Sequence, residues 1–543
     1  MEPHYNFADL FEIAADKVPD RVAIIDHKRR VTYRELDERT NRLAHAMQDG
    51  GVQAGDHVGI DATNCIEWPE AALALYKLRA VPVNVNFRYV EEELRYLFEN
   101  SDIVGIVYMR EYGPVIAKAR DAQPMLTRFW RIEDESGADD SALNAVEFED
   151  AIASGSPERD WPERSNDDIY LLYTGGTTGM PKGVMWRQED VYYALAGGID
   201  TFTNEKVTSP YAASERINPD FALVSHPSPP LMHGAGQFAT FRMLFEGGTL
   251  VYRPSFDAED VLRSIEREKI NVLMVTGDAM ARPLADALER LQGQIDLSSL
   301  LSFGSTAAIF SQTVKEQLRA LLGPNLVMTD AIGSTETGMN GIRVVQDGDA
   351  PKEGITTVLA SADTTVLDDD LQPVAPGSGT VGRLARGGNI PLGYYKDPEK
   401  SAATFITDSE GRRWSIPGDF ATVEADGRIT LMGRGSVSIN SGGEKVFPEE
   451  VEGALKAHPD VFDVLVVGVP DDRWGERVTA VIQPREGRTP ALEDLVAHCR
   501  GKVASYKIPR QVFLVEIVPR LPNGKPDYPK AKATALQLVA SDG

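Results

Sequence analysis

The stretch Tyr173-Thr174-Gly175-Gly176-Thr177-Thr178-Gly179-Met180-Pro181-Lys182-Gly183-Val184 decides how the rest of the chain is read. It holds four glycines, three threonines and one lysine. Glycine loses more backbone entropy than any other residue in a helix or strand, and proline brings no N–H to a ladder. The composition therefore predicts a loop. Its bare amides and hydroxyls suit a phosphate, with Lys182 as the counter-charge. The apolar run Ile169-Tyr170-Leu171-Leu172-Tyr173 ahead of it predicts a buried strand. A glycine loop at a strand's end is a common setting for nucleotide phosphates. It is not a Walker A loop, which needs glycine directly before its lysine; here Met180-Pro181 precede Lys182. A plain flexible surface loop is the bland alternative.

On the N-terminal side, strands and helices alternate. A helix is predicted from Asp9 to Lys17, stopped by Pro19, and a strand over Val22 to Ile25. Thr32 and Glu35 form a capping-box pattern opening a helix that runs to about Asp49, closed by Gly50-Gly51. Strands near His57 to Ile60, Val81 to Asn86 and Ile103 to Tyr108 are interleaved with helices near Pro69 to Leu78 and Glu91 to Glu99. Such alternation implies parallel crossovers and a layered α/β sheet. Asp134 to Asp168 is acidic and rich in Ser, Ala and Pro, and predicts an irregular connection. Asp200 to Asp220 predicts a polar insertion, with a lid as the alternative.

Beyond the loop the alternation resumes, with strands at Thr249 to Tyr252 and Val272 to Thr276 around a helix near Ala258 to Lys269. Leu301-Ser302-Phe303-Gly304-Ser305-Thr306 and Asp330-Ala331-Ile332-Gly333-Ser334-Thr335-Glu336 read as strand ends opening into small-residue loops, where open α/β sheets bind ligands. Composition changes around Arg434. Residues 1–433 are expected to form a large layered α/β domain, 434–438 a hinge, and 439–543 a smaller mobile α+β domain. The latter should hold helices at Pro448 to Ala457 and Leu492 to Lys502, and strands at Val461 to Val469, Arg477 to Gln483 and Gln511 to Val518.

The 543 residues suggest roughly three to four domain-sized units. A net charge of -26 disfavours a nucleic-acid or anionic-membrane partner. Two distant cysteines, Cys65 and Cys499, carry no metal-ligand spacing. No apolar run approaches a membrane span, and Met1-Glu2-Pro3-His4 carries no export signal, so a cytoplasmic protein without an integral membrane segment is expected. The sequence leaves a homodimer open.

Two stretches fit the dinucleotide pattern of spaced glycines: Gly234-Ala235-Gly236-Gln237-Phe238-Ala239 and Gly377-Ser378-Gly379-Thr380-Val381-Gly382. Each follows proline, and neither is placed by sequence at a clear strand-to-helix junction, which weakens a nicotinamide reading.

The glycine-rich stretch resembles the phosphate-binding signature of the AMP-forming adenylating enzymes: acyl-CoA synthetases, luciferases and peptide-synthetase adenylation domains. The resemblance extends over nearly the whole chain, with the motifs in family order. It implies that Thr174, Gly175, Gly176, Thr177, Thr178, Gly179, Met180, Pro181 and Lys182 hold ATP phosphates. Thr335 and Glu336 match the family's Thr-Glu pair, the hydroxyl at the α-phosphate and the carboxylate on Mg2+. Gly304, Ser305, Thr306, Asp330, Ile332, Gly333 and Ser334 fall in segments that line the nucleotide. Ser415-Ile416-Pro417-Gly418-Asp419 matches the segment whose Asp takes the ribose hydroxyls, and a carboxylate suits two adjacent hydroxyl donors. Arg434 matches the arginine near ribose and phosphates, and Gly524-Lys525 the C-terminal catalytic lysine. His233, Gly234 and Gly304 resemble positions lining the acyl pocket. Gly442-Gly443-Glu444 and the residues to Glu452 look like the fatty-acyl branch. Trp186-Arg187-Gln188-Glu189-Asp190, together with Leu231-Met232-His233-Gly234-Ala235-Gly236, resembles actinobacterial enzymes that activate steroid side-chain carboxylates.

The implied function is ATP-dependent activation of a long-chain fatty acid or steroid carboxylate to an acyl-adenylate. Transfer to coenzyme A would then give acyl-CoA, AMP and pyrophosphate. A carboxylate attacks the anionic α-phosphorus poorly, so charge must be neutralised and the attack aligned. Lys182, Lys525, Mg2+ and loop amides suit that task. No protein nucleophile is needed; there is no G-x-S-x-G elbow, and neither cysteine has the setting of an activated thiolate. The rival readings are a non-catalytic nucleotide-binding protein on this fold, a fatty-acyl-AMP ligase and a nicotinamide oxidoreductase. The chain departs from the family pattern at Ile332, where an aromatic is common, and at Ser436 and Val437 in the hinge.

Overall fold

A computed structural model describes residues 3–176, 179–199, 205–308, 310–345, 356–441, 444–471, 475–500, 502–521 and 524–542. Thr177, Thr178, Gly442 and Gly443 of the expected site, and the first residues of the polar insertion at 200, lie outside them. The chain forms two compact units, Met1–Met274 with Asn389–Phe405, and Val275–Gly388 with Ile406–Gly543. That is fewer than length alone suggests, and residues 439–543 fall within the second of them.

The first unit contains an eight-stranded sheet in the order Gly393–Tyr394, Gly179–Arg187, Ile169–Gly176, Val81–Asn84, His57–Asp61, Ile103–Met109, Arg128–Ile132, Val146–Glu147. From Ile169–Gly176 onward neighbours are parallel, as the alternation predicts. The helices Tyr33–Asp49 and Glu67–Lys77 pack into the same core, through Leu36, Leu43 and Met47 on one and Trp68, Leu73 and Leu75 on the other. The Thr32 hydroxyl accepts the Glu35 amide while the Glu35 carboxylate accepts the Thr32 amide, so the capping box is made as read. A second set of strands runs parallel in the order Val22–Ile25, Thr249–Val251, Val224–Pro227, Val272–Val275.

Two expectations change. The connection from Asp134 to Asp168 is not wholly irregular: Phe148–Ser154 is a helix. Its Phe148, Ala151 and Ile152, at helical spacing, are buried, and that short apolar stripe outweighs the polar composition around it. The glycine-rich stretch is the end of a β-hairpin rather than a loop throughout. Thr174 pairs Lys182 and Gly176 pairs Gly179, with the register slipping between Thr174 and Gly176. Pro181 has no partner in this register, so its missing N–H leaves no gap in the ladder.

The second unit carries a sheet in the order Ser302–Thr306, Val327–Ser334, Gly338–Val345, Thr356–Ala360, Ile429–Arg434, Asp419–Val423, Gly382–Arg386, Arg413–Ser415. Residues 439 onward build a separate five-stranded sheet around Val461–Asp471 and Gly475–Pro484. Alternate residues of Val461–Asp471 face opposite sides, as strand geometry requires. Val464 and Val466 join a core with the helices Pro448–Lys456 and Leu492–Cys499. Leu465, Val467 and Val469 join another with Tyr528, Ala531 and Ala535 of the helix Tyr528–Asp542. The helices and strands expected after residue 439 are all present. Among the described residues no helix is long and apolar enough to cross a membrane.

Candidate active site

In the first unit the glycine-rich hairpin is pinned from behind. The Asn84 side chain, at the C-terminal end of its strand, accepts the Tyr173 amide at 2.7 Å and donates to the Tyr173 carbonyl at 2.8 Å. It also donates to the Met232 carbonyl at 2.7 Å. Asn64 holds the same segment one turn earlier, accepting the Leu231 amide at 2.7 Å and donating to the Pro229 carbonyl. Both amides are buried. Asn84 joins the strand that leads into Thr174 to the segment that leads into His233, and Asn64 braces that second segment. Sequence reading missed both residues; a single asparagine after a strand carries no signal by itself.

His233 is the N-cap residue of the helix Gly234–Phe245, so the first G-x-G-x-x-A pattern does open a helix, contrary to the sequence reading. A side chain at Gly234 would meet Leu172 Cδ2 and the Phe238 ring at 2.8 Å, and one at Gly236 the Pro230 carbonyl at 2.6 Å. These glycines allow close packing at the start of the helix. Trp186 is fully buried in the core, the Gln188 side chain accepts the Phe7 amide, and Asp190 accepts from Asn389 and pairs with Arg187. The stretch 186–190 is therefore scaffold.

Lys182 Nζ lies 3.2 Å from the Asp397 carboxylate and 5.6 Å from the Tyr394 ring centre. Asp397 caps the helix Pro398–Thr404. The Lys400 amide, then Lys182, holds its carboxyl below the usual range. A bound phosphate would compete with Asp397 for this lysine. Two cavities of the first unit, about 530 and 590 Å3, are lined around Arg164 and around Arg253, and neither includes an expected site residue.

The second unit gathers most of the remaining expected residues. Ser302–Thr306 runs parallel to Val327–Ser334, with Gly304 opposite Thr329 and Ser305 opposite Asp330. The Ser305 hydroxyl accepts the Gly277 amide at 3.0 Å, and Thr306 donates to the Ala331 carbonyl at 3.3 Å. Thr335 and Glu336 occupy the turn between Val327–Ser334 and Gly338–Val345. A side chain at Gly333 would meet the Gly338 carbonyl at 2.4 Å, so glycine is required for the hairpin to close. Ser334 and Thr337 hydroxyls lie 3.0 Å apart across the turn. Ser415 donates to the Glu336 carbonyl at 2.6 Å, tying the Thr-Glu turn to the Ser415–Asp419 segment. Buried Arg386 donates to the Met339 carbonyl behind the same turn. Asp419 lies opposite Arg434 across an antiparallel pair, which brings the two nucleotide-binding candidates into register.

Two residues do less than expected through their side chains. Asp330 is buried, and its carboxylate accepts Lys315 Nζ at 2.8 Å. Burial raises its pKa against the opposing charge of Lys315, so this carboxylate is engaged inside the protein. Ile332 packs in a core cluster with Val358, Leu384 and Ala421. Among the described residues no group of three His, Cys, Asp or Glu could hold a metal ion. Glu336 as a lone carboxylate fits Mg2+, which is commonly held by one or two carboxylates together with substrate phosphates.

The Lys525 loop is also placed. Leu521 donates to the Lys525 carbonyl and Gly524 to the Leu521 carbonyl, both at 2.8 Å, closing a tight hairpin. Gly524 has φ +80, and a side chain there would sit 3.1 Å from Ala279 Cβ. Ala279 lies in the turn of helix beginning at Gly277, whose amide holds Ser305. The segment bearing Lys525 thus packs against the segment that positions Ser305.

The glycine hairpin, the Thr-Glu turn, Asp419 opposite Arg434 and the late lysine are the stretches whose resemblance implied an adenylate-forming enzyme, and the class rests on comparison with known proteins. Residues 11–395 match the model of the AMP-binding enzyme family and residues 450–525 that of the AMP-binding enzyme C-terminal domain. The chain belongs to the AMP-binding enzyme family. It is 51% identical to a 3-oxocholest-4-en-26-oate–CoA ligase of Rhodococcus rhodochrous, over 97% of this chain and 95% of that one. It is 53% identical to a medium/long-chain-fatty-acid–CoA/3-oxocholest-4-en-26-oate–CoA ligase of Mycobacterium tuberculosis, over 99% and 97%. The fold matches that of the anthranilate CoA ligase AuaEII in complex with anthranoyl-AMP, with a TM-score of 0.82 at 24% identity over 99% of both chains. The expected class holds: an AMP-forming acid–thiol ligase, working with ATP, Mg2+ and coenzyme A.

Proposed function

We propose that this chain activates a steroid side-chain carboxylate, with medium- or long-chain fatty acids as a second substrate class. The observation that carries the residue roles is the tie from Ser415 to Glu336 with Asp419 opposite Arg434. These contacts bring the backbone of Glu336, Asp419 and Arg434 into one group of strands, which supports the roles given to them here. The identity above 50% with two ligases named for 3-oxocholest-4-en-26-oate supports the choice of acid.

In this reading Lys182 exchanges Asp397 for ATP phosphate, and Thr335 donates its hydroxyl to the α-phosphate. Glu336 holds Mg2+, Asp419 accepts from the ribose hydroxyls, and His233 with the segment behind it borders the acid. A carboxylate oxygen attacks the α-phosphorus, pyrophosphate leaves, and Lys525 stabilises the charge that gathers on the transferring group. The thiol sulfur of coenzyme A then attacks the acyl carbon, and AMP leaves. Residues 439–543 act as the moving domain, turning about the 434–438 hinge between the two steps.

Incubation with ATP, Mg2+, coenzyme A and a panel running from short fatty acids to a 3-oxo steroid carboxylate tests this. AMP and pyrophosphate should form in equal amounts, with the highest kcat/KM on the steroid acid. Stoichiometric ADP would refute the chemistry. A higher kcat/KM on fatty acids would refute the choice of substrate alone.

A further inference from the structure

Arg520 sits one residue before the hairpin that carries Lys525, and its guanidinium makes three directed bonds. Nε and Nη2 donate to the two Asp463 oxygens at 2.5 and 2.7 Å. Nη1 donates to the Gly524 carbonyl at 2.9 Å. Asp463 lies on the long strand Val461–Asp471, which pairs along its length with Gly475–Pro484, and also pairs with Lys456 at 3.2 Å. Lys456 is buried. Two cations therefore meet one carboxylate on a rigid sheet, and one of them reaches on to the turn. Arg520 also pairs with Pro526 as an isolated bridge on the far side of Lys525, so the hairpin is fixed at both ends. Gly524 itself has a positive φ and a side chain there would meet Ala279, so glycine is favoured at this position.

The geometry points to Arg520 as a positioning residue: the Asp463–Arg520 fork sets the height and direction of the Lys525 hairpin for adenylate formation. This rests on the reading of Lys525 as the adenylation lysine. Lysine at position 520 keeps a charge beside Asp463, but a point charge on a flexible stem cannot hold two carboxylate oxygens and a carbonyl at once. The hairpin would then be loosened without being lost. A misplacement of about 1 Å can cost about 10²-fold in rate.

The test is a double-mutant cycle on the full chain, following pyrophosphate exchange from ATP and acid, and thioester formation from a supplied acyl-adenylate. Arg520→Lys should lower kcat for exchange about ten- to a hundredfold with little change in KM for ATP. Thioester formation should stay within about twofold. In a Lys525→Ala background, Arg520→Lys should change the residual exchange by less than about twofold, because the group it positions is gone. Asp463→Asn, which keeps shape but weakens the fork, should repeat the pattern, and melting curves report whether each variant is folded. An equal loss from Arg520→Lys in both backgrounds, equal losses in both half-reactions of a folded variant, or unchanged exchange would overturn the proposal. If Lys525→Ala alone leaves exchange intact, the reading of Lys525 has failed instead. If Arg520→Lys does not fold, Asp463→Asn decides by the same criteria.

Discussion

Glu452, on the helix Pro448–Lys456, is buried beneath the sheet that carries the Lys525 hairpin. Its carboxyl accepts the Val466 amide at 2.9 Å and the Tyr528 hydroxyl at 3.2 Å. Burial pushes its pKa from 4.5 up to about 7, with Lys456 pulling the other way. Between those values the folded chain keeps a proton that the unfolded chain gives up. Stability from this group is therefore complete below about 4.5 and declines as pH rises toward about 7. Asp463 has the opposite sign: burial raises it, but Lys456 and Arg520 outweigh burial and hold it low. Its contribution is lost only as pH falls below its unfolded value of 3.8. Glu452→Gln should remove the first slope. From about pH 5 to about pH 7 the wild type should lose up to ~3 kcal/mol relative to the variant. Melting both across that range checks this, and parallel curves would contradict it. None of this was legible in the sequence, where Glu452 stands in a run of glutamates whose burial only the fold reveals. Asp397 was equally hidden, since it meets Lys182 from far along the chain.

At the level of elements, the parallel strands, the capping box and the C-terminal helices and strands were legible because apolar periodicity and caps act locally. Phe148–Ser154 was not, because seven residues with three buried positions give too short a signal within a polar stretch. The glycine hairpin was half legible. Its chemistry followed from composition, but its pairing depended on a partner strand that supplies the ladder. Gly234 and Gly236, beside His233, are points of close packing against Leu172 and Pro230, which the sequence did not show. Gly304, whose position resembles one lining the acyl pocket, lies on a strand opposite Thr329. Gly304→Phe should lower kcat/KM for steroid acids by at least about tenfold more than for short fatty acids, since filling a shaped pocket penalises the larger ligand. Rates on the two acids in the same preparation measure it, and equal losses would place the acyl pocket elsewhere.

Across the whole molecule, function was legible as an ordered set of short stretches, each weak alone. What the sequence could not supply is which stretches meet. Arg520 and Asp463 stand 57 positions apart and are joined by an ion pair between a strand and the segment leading to Lys525. Ser415 and Glu336 are 79 apart and joined through a turn. The Lys525 hairpin packs on Ala279, beside the helix start that holds Ser305. In the proposed mechanism that arrangement serves adenylate formation, and residues 439–543 turn away for thioester formation. The most direct measurement compares the two half-reactions in Lys525→Ala. Pyrophosphate exchange should fall about 10²–10³-fold, the usual loss on removing one preorganised charge contact. Thioester formation from supplied acyl-adenylate should survive, because Lys525 has by then moved off. Equal losses in both half-reactions of the folded variant would contradict the account.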